Sequence, residues 1–332
     1  MYSDEDLTLA VEHNVITNAD AENFRHFIYE TRNSVAVDEE NFRLISGFND
    51  IFVVIASTLL LSSLAWFSFH LYAPLAGISV AVASWVLSEY FVNKRRMALP
   101  AITLLLSFLA GLFAIPILFQ AEPKSLALLA CGLLTSVGAL AHWARFHVPI
   151  TVAAGAATLA ASLLAAVAYF VPMSVAYINQ LILLLGLSIF GLAMFWDSRD
   201  TARQTRATDV AFWLHLISAP MIVHPIFHSL GVLDGNGGVF ITFAVLTLYL
   251  LLACISIAVD RRAIMVSALV YVIYTFSSLI ENVGVVTSSL AVTGICIGST
   301  LLLLSAFWHS CRRAVLKLVP HPIQNKLPQA NV

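Results

Sequence analysis

Long apolar runs separated by short polar breaks fill the chain from about residue 50 onward. A bilayer core takes about 20 apolar residues per helix, because no water is present there to satisfy exposed backbone groups. Ten stretches meet that demand: 50–69, 72–92, 98–119, 125–141, 149–171, 177–196, 208–231, 239–258, 263–283 and 286–307. The connections are short, so most neighbouring spans are predicted to form antiparallel helical hairpins. Glu122-Pro123 and Asp234-Gly235-Asn236-Gly237-Gly238 are breaks that a regular helix does not continue through. The predicted fold is all-α. A bundle of about ten transmembrane helices (49–308) follows a small helical head (1–48) and precedes a basic tail (309–332).

Composition narrows the function classes. Hydrophobic residues make up 60% of the 332 positions and charged residues 11%, with a mean hydropathy of +0.88. Soluble domains carry about a quarter charged residues. A water-soluble enzyme and a disordered regulator are therefore excluded. A nucleic-acid binder is excluded too, since net charge is −2 and no strong basic patch appears. The start, Met1 to Asp6, is polar and acidic where a secretory signal would be basic and then apolar. The first span is thus expected to act as its own insertion signal. Cys131, Cys254, Cys296 and Cys311 lie in or beside apolar runs with no CxxC pair, which argues against a disulfide framework or zinc site.

Orientation follows from the basic residues. With the N-terminus inside, 16 of the 17 lysines and arginines fall in inner segments, leaving only Lys124 outside. A different number of spans would scramble that segregation. Trp143, Trp196, Trp213 and Trp308 stand near inner helix ends, where an interfacial aromatic belt belongs. Both termini are expected to face the cytoplasm.

Residues 1–50 hold 11 acidic and 3 basic side chains. Ser3 and Asp6 have the spacing of an N-cap, with a helix to about His13 that Asn14 would close in a left-handed conformation. A second helix is predicted from Ala19 to Thr31, with Phe24, Phe27 and Ile28 on one face. Asp38-Glu39-Glu40 would place negative charge at the start of the helix leading into the first span. Two readings stand: a docking module for a cytoplasmic protein through residues 1–48, or a solvated cap that packs on the inner loops. The layout of a short acidic two-helix head (Asp6-Leu7, Val15-Ile16-Thr17, Phe24) before a many-span body resembles uncharacterised bacterial polytopic inner-membrane proteins. The segment Asp209-Val210-Ala211-Phe212-Trp213-Leu214-His215 to His224-Pro225 also reads as a motif. The resemblance implies no catalytic residues.

Ionisable groups within hydrocarbon cost several kcal/mol at its centre, so each one prompts a functional question. Span seven carries Asp209, His215, His224 and His228, with Pro220 and Pro225 interrupting it. At 100° per residue His224 and His228 share a face and His215 lies roughly opposite. In span nine, Ser267, Tyr271, Tyr274, Ser278 and Glu281 recur at the spacing of one helix face. If the faces meet, His224 and Glu281 would pair in the outer half, and Tyr271, Tyr274 and Ser278 would line a route inward toward Asp209. That chemistry suits a proton relay, a cation or a small polar solute. The alternative has Glu281 solvated beyond the end of the span and the histidines bonded to carbonyls freed by the prolines.

Other positions read as structural. Glu89 is an interfacial anchor or ion-pair partner, and His142 and His147 beside Arg145 read as headgroup contacts. Gly294 and Gly298, and the stripe Ala153, Ala157, Ala161 and Ala165, are expected to serve internal helix packing. No Walker loop, dinucleotide fingerprint, HExxH or GxSxG pattern occurs, and no cofactor, metal site or enzymatic activity is assigned. The leading expectation is a secondary transporter of ions or small solutes; ten spans would suit two inverted five-helix halves, a layout whose span count resembles drug/metabolite transporters. The alternative is a membrane scaffold, assembly factor or sensor. The expected site is the bacterial inner membrane.

Overall fold

The computed structural model describes residues 7, 10–24, 48–119, 124–201, 203, 205–231, 239–283, 289–324 and 327–328, and no strand occurs among them. Two compact units are present, 1–40 and 41–332. In the second unit the long helices are α1 (Phe48–Leu71), α2 (Ala73–Ser88), α3 (Ala98–Leu118), α4 (Lys124–Phe146) and α5 (Ile150–Phe170). They continue with α6 (Ile178–Arg199), α7 (Arg206–Ser229), α8 (Val239–Val259), α9 (Ala263–Val283) and α10 (Ser289–Ala306). Two short helices follow, α11 (Trp308–Leu316) and α12 (His321–Gln324).

These ten long helices match the ten apolar stretches to within a few residues. Eight spans, α1 to α8 with α2 continued to Lys94, are each long and apolar enough to cross a membrane, and α10 with the bent α11 makes up to nine. Helix α9 is apolar over Ala263–Ser277. The molecule is an all-α polytopic membrane bundle.

Local chemistry sets the breaks. Only Tyr72, in extended conformation, separates α1 from α2, and Pro74 in the first turn of α2 gives up an N–H that would have no partner there. The end of α2 widens into a π-turn, Glu89–Lys94. At the four turns joining α2–α3, α4–α5, α6–α7 and α8–α9, a residue other than glycine takes positive φ: Arg96 (52°), His147 (53°), Arg203 (55°) and Asp260 (59°). All four lie at one end of the bundle, the end rich in arginine. Asp260 ends α8 in a Schellman arrangement: the Arg261 N–H donates to Ser256 O at 3.0 Å and the Asp260 N–H to Ile257 O at 3.2 Å.

Close backbone approach joins the hairpins. A Cβ on Gly77 of α2 would meet Gly111 O at 2.7 Å, and one on Gly111 of α3 would meet Gly77 O at 2.8 Å. Gly132 of α4 lies against Ser162 of α5, and Gly186 of α6 against Met221 of α7. In lipid such contacts hold helices by dispersion rather than by expulsion of water. The expectation for Gly294 and Gly298 is corrected: a Cβ on either meets no described atom within 4 Å. In the alanine stripe Ala153 is buried, while Ala161 faces outward.

Helix α7 is the hub of the bundle and the most buried of the spans. One side of it (Ala219, Val223, Phe227) packs with Val245 and Leu252 of α8 and with Ile264, Ala268 and Tyr271 of α9. Another (Val210, Leu214) packs with Ala153 and Ala160 of α5 and Ile189 and Ala193 of α6. A separate cluster, Ala81, Leu105, Phe108, Leu109 and Ala139, joins α2, α3 and α4.

In the first unit, Asn14 has φ 56° and closes a helical turn as expected, with Val15 N–H donating to Ala10 O at 2.8 Å. Residues 18–24 form the next helix. Its cap is Thr17, two residues before the predicted start. The Asp20 N–H donates to Thr17 Oγ1 at 3.1 Å, and Thr17 N–H and hydroxyl donate to Asp20 Oδ2 at 3.2 and 2.6 Å. That reciprocal pair is a capping box with aspartate in the acidic position. The hydroxyl bond holds the Asp20 carboxyl below its ordinary value. Ser3, Asp6, Phe27, Ile28 and Asp38-Glu39-Glu40 lie outside the described residues.

Candidate functional site

Two polar constellations lie along α7. The first joins the two seams through a pair other than the expected His224–Glu281. The His224 ring and the Tyr271 hydroxyl meet across α7 and α9, with Nδ1 and Oη 2.5 Å apart. Tyr271 is buried and stacks on Phe227, centroids 4.6 Å apart and planes at 21°, so its hydroxyl is held in place. One turn on, Asn179 of α6 lies 3.2 Å from His228 Nδ1, and the His224 and His228 rings are 6.0 Å apart. Asn179, His228, His224 and Tyr271 thus form a polar row across three helices. Tyr274 faces outward and Ser267 is half-buried. Asp209 is half-buried in the first turn of α7, well removed along the helix from His224. The side chains of Ser278 and Glu281 lie outside the described residues.

The second constellation was not anticipated. Asp197, at the end of α6, has one carboxylate oxygen 2.8 Å from His215 Nε2 and the other 2.6 Å from Arg261 Nη2. His215 and Asp197 are about 1% exposed or less, and so is Arg261. Arg261 also donates to Thr208 O at 3.2 Å, while its own carbonyl accepts from Ser256 Oγ at 2.5 Å. His215 sits edge-on to Phe190, and its Nδ1 has no hydrogen-bond partner among the described residues.

Next to it, Asp260 collects cations. Its carboxylate lies 2.9 Å from Arg203 Nη1 and 3.4 Å from Arg312 Nη1 of α11. It also accepts from Trp308 Nε1 at 2.6 Å, and its carbonyl accepts from Arg203 at 3.1 Å. Arg312 reaches on to Pro328 O at 2.5 Å. Burial, with Arg261 nearby, pulls the Arg203 guanidinium below its ordinary value, while Asp260 and Asp197 oppose that shift. Asp200 accepts from Thr205 N–H, Thr205 Oγ1 and Thr208 Oγ1 at 2.7, 2.7 and 3.0 Å. These bonds fix the turn from which α7 starts, and Thr205 caps α7 by accepting from Ala207 N–H.

The network ties the ends of α6, α7, α8, α9 and α11 together with buried charge. Three aspartates and three arginines balance in formal charge. A buried group left without its counter-charge is costly, and that cost makes the arrangement an all-or-none clamp. Sequence reading missed it because Arg203, Arg261 and Arg312 were already explained as inner-loop charge. The available signal was Asp197 directly at the end of an apolar span and Asp260 adjoining Arg261.

Of two smaller assignments, that of His142 changes and that of Glu89 as an ion-pair partner holds. His142 is fully buried, boxed by Trp85, Phe108 and Phe146 and 3.3 Å from Thr151 Oγ1; it is not a headgroup contact. Glu89 pairs bidentately with Arg145 at 2.8 and 2.9 Å, the π-turn beginning at the residue that makes the bridge. Among the described residues no three His, Cys, Asp or Glu side chains converge to hold a metal ion.

The long apolar helices make this an integral membrane protein of the multi-pass helical class. No family model, curated protein or solved structure matches the chain.

Proposed function

We propose that the protein is a secondary transporter in the bacterial inner membrane, moving protons or a small polar solute along α7. The observation that supports this reading is the His224–Tyr271 pair. It joins the polar faces of α7 and α9 at the bundle's surface, where His224 and His228 are both exposed, and the His228–Asn179 contact lies one turn on. Imidazole can take a proton at one nitrogen and give one up at the other, and a phenol hydroxyl can both donate and accept. Pro220 and Pro225 leave carbonyls one turn back without their helical donor, which supplies further acceptors between His224 and His215. With 16 of 17 basic residues on one side, both termini face the cytoplasm in this reading. No catalytic reaction is assigned.

Purified protein in liposomes containing a pH-sensitive dye tests the proton form directly. Under a potassium diffusion potential set with valinomycin, wild-type liposomes acidify faster than protein-free ones, and His224→Ala and Tyr271→Phe lose most of the difference. Acidification no faster than in protein-free liposomes contradicts the proton path; unchanged flux in His224→Ala removes His224 from it.

A second reading, a scaffold or sensor whose acidic head binds a cytoplasmic protein, draws on one feature. Val15 stands 73% exposed at the turn between the two head helices. A partner co-purified with the full-length chain and lost in Val15→Asp would support it; equal recovery by both would count against it.

A further inference from the structure

The arginine-rich end holds two sets of cations. Arg203, Arg261 and Arg312 are buried against Asp197 and Asp260. Arg199, Arg206, Arg262, Arg313 and Lys317 face outward. Three outward guanidiniums at this end lie over aromatic rings: Arg95 on Tyr90 at 5.7 Å, Arg199 on Phe195 at 4.1 Å and Arg262 on Trp308 at 4.9 Å. A guanidinium held over an aromatic face on the outside of the protein keeps its N–H edges available, and aromatic and arginine side chains both favour a membrane–water boundary.

Helix α11 is the second observation. It leaves the axis of α10 at 74°, so it lies across the end of the bundle instead of prolonging the span. Its inner side is fixed: Trp308 packs with Ala253, Ile257 and Met265, and Cys311 and Val315 pack beside it. Trp308 and Arg312 are both bonded to Asp260. Its outer side carries His309, Arg313 and Lys317, followed by Leu318 at 85% exposure. Basic groups beside an exposed leucine, on a rigid helix at the end of a membrane span, match a surface of anionic headgroups above acyl chains.

We propose that the outer face of α11 binds anionic phospholipid headgroups of the bilayer around the protein. Guanidinium and ammonium donate to phosphate oxygens, the guanidinium with two parallel N–H bonds. A lipid whose phosphate is balanced by choline offers no net charge, so the surface discriminates by headgroup charge. The proposal needs only that the chain spans a membrane, and it stands or falls apart from the transport reading.

A photoreactive benzoylphenylalanine in place of exposed Ala314, between Arg313 and Lys317, reads this surface locally in the full-length protein. The probe protein is reconstituted in liposomes of phosphatidylglycerol and phosphatidylcholine, and cross-linked lipid is identified by mass spectrometry. Phosphatidylglycerol is expected in excess of its share of the mixture. The excess falls about fivefold for each charge removed in Arg313→Gln and Lys317→Gln, and the charge-conserving R313K/K317R retains it. A wild-type ratio equal to the mixture, or a preference that survives both glutamine substitutions, overturns the proposal.

Discussion

Asp197 and Arg261 are 64 positions apart in the chain, yet their carboxylate oxygen and guanidinium nitrogen meet at 2.6 Å inside the bundle. The contact closes α6 onto the start of α9, and His215 of α7 completes it from the carboxylate's other oxygen. With all three groups buried, the value of the pair lies chiefly in neither charge being left alone. Asp197→Ala is expected to lower stability by about 3–5 kcal/mol, because it strands Arg261. The double change Asp197→Leu with Arg261→Met is expected to cost less than Asp197→Ala. Unfolding in mixed micelles titrated with dodecyl sulfate measures both. A double variant as damaged as the sum of the singles would show that the two side chains act independently.

Trp308 donates to Asp260 and anchors α11 to the α8–α9 turn. Trp308→Phe keeps most of the packing and removes the donor, at a cost of about 1.5–3 kcal/mol for a bond to a charged group. Local opening of α11 should appear as faster trypsin cleavage at Arg313 and Lys317. Unaltered cleavage would mean that Arg312 alone holds the helix.

Glycine contacts give an internal contrast. Gly77→Ala places a methyl 2.7 Å from Gly111 O, and separating α2 from α3 is expected to cost about 1–3 kcal/mol. Gly294→Ala meets no described atom within 4 Å and should be neutral or raise stability by up to about 1 kcal/mol through helix propensity. The same unfolding assay decides. Equal effects at the two positions would contradict the close approach of α2 and α3.

The Thr17–Asp20 capping box makes a pH prediction. Its hydrogen bonds depress the Asp20 carboxyl, so its contribution is fully present above the ordinary aspartate value and is lost as pH falls through the lower folded value. Protection of the Thr17 amide against hydrogen exchange should be constant from pH 7 to about pH 5 and decline below about pH 4. In Asp20→Asn the decline should vanish. A decline that survives the substitution would assign it to another group.

The spans were legible because lipid imposes its demand locally: about 20 successive residues declare a crossing without reference to the rest of the chain. Asn14 could be read because asparagine tolerates the left-handed conformation that the turn needs. The pairing of His224 with Tyr271 was partly visible as two polar faces on spans seven and nine. The Asp197–Arg261 contact was hidden for the opposite reason. Its partners belong to distant segments, and Arg261 lies where inner-loop charge was already expected. The left-handed φ at Arg96, His147, Arg203 and Asp260 has no marker either, since none of these residues is the glycine that usually signals such a turn. Gly294 and Gly298 show the converse error: a small-residue pattern needs a facing helix, and the sequence does not say whether one is there.

The central claim is that the chain crosses a bilayer as paired helices whose four arginine-rich turns share one side. In a variant lacking the four native cysteines, single cysteines at Arg96, His147, Arg199 and Arg262 can be probed with a membrane-impermeant maleimide on sealed vesicles of known orientation. A fifth, at Met173 between α5 and α6, reports the other side. The account predicts that the four label together from one face and Met173 only from the opposite face. Labelling of any of the four from the face that labels Met173 would contradict it.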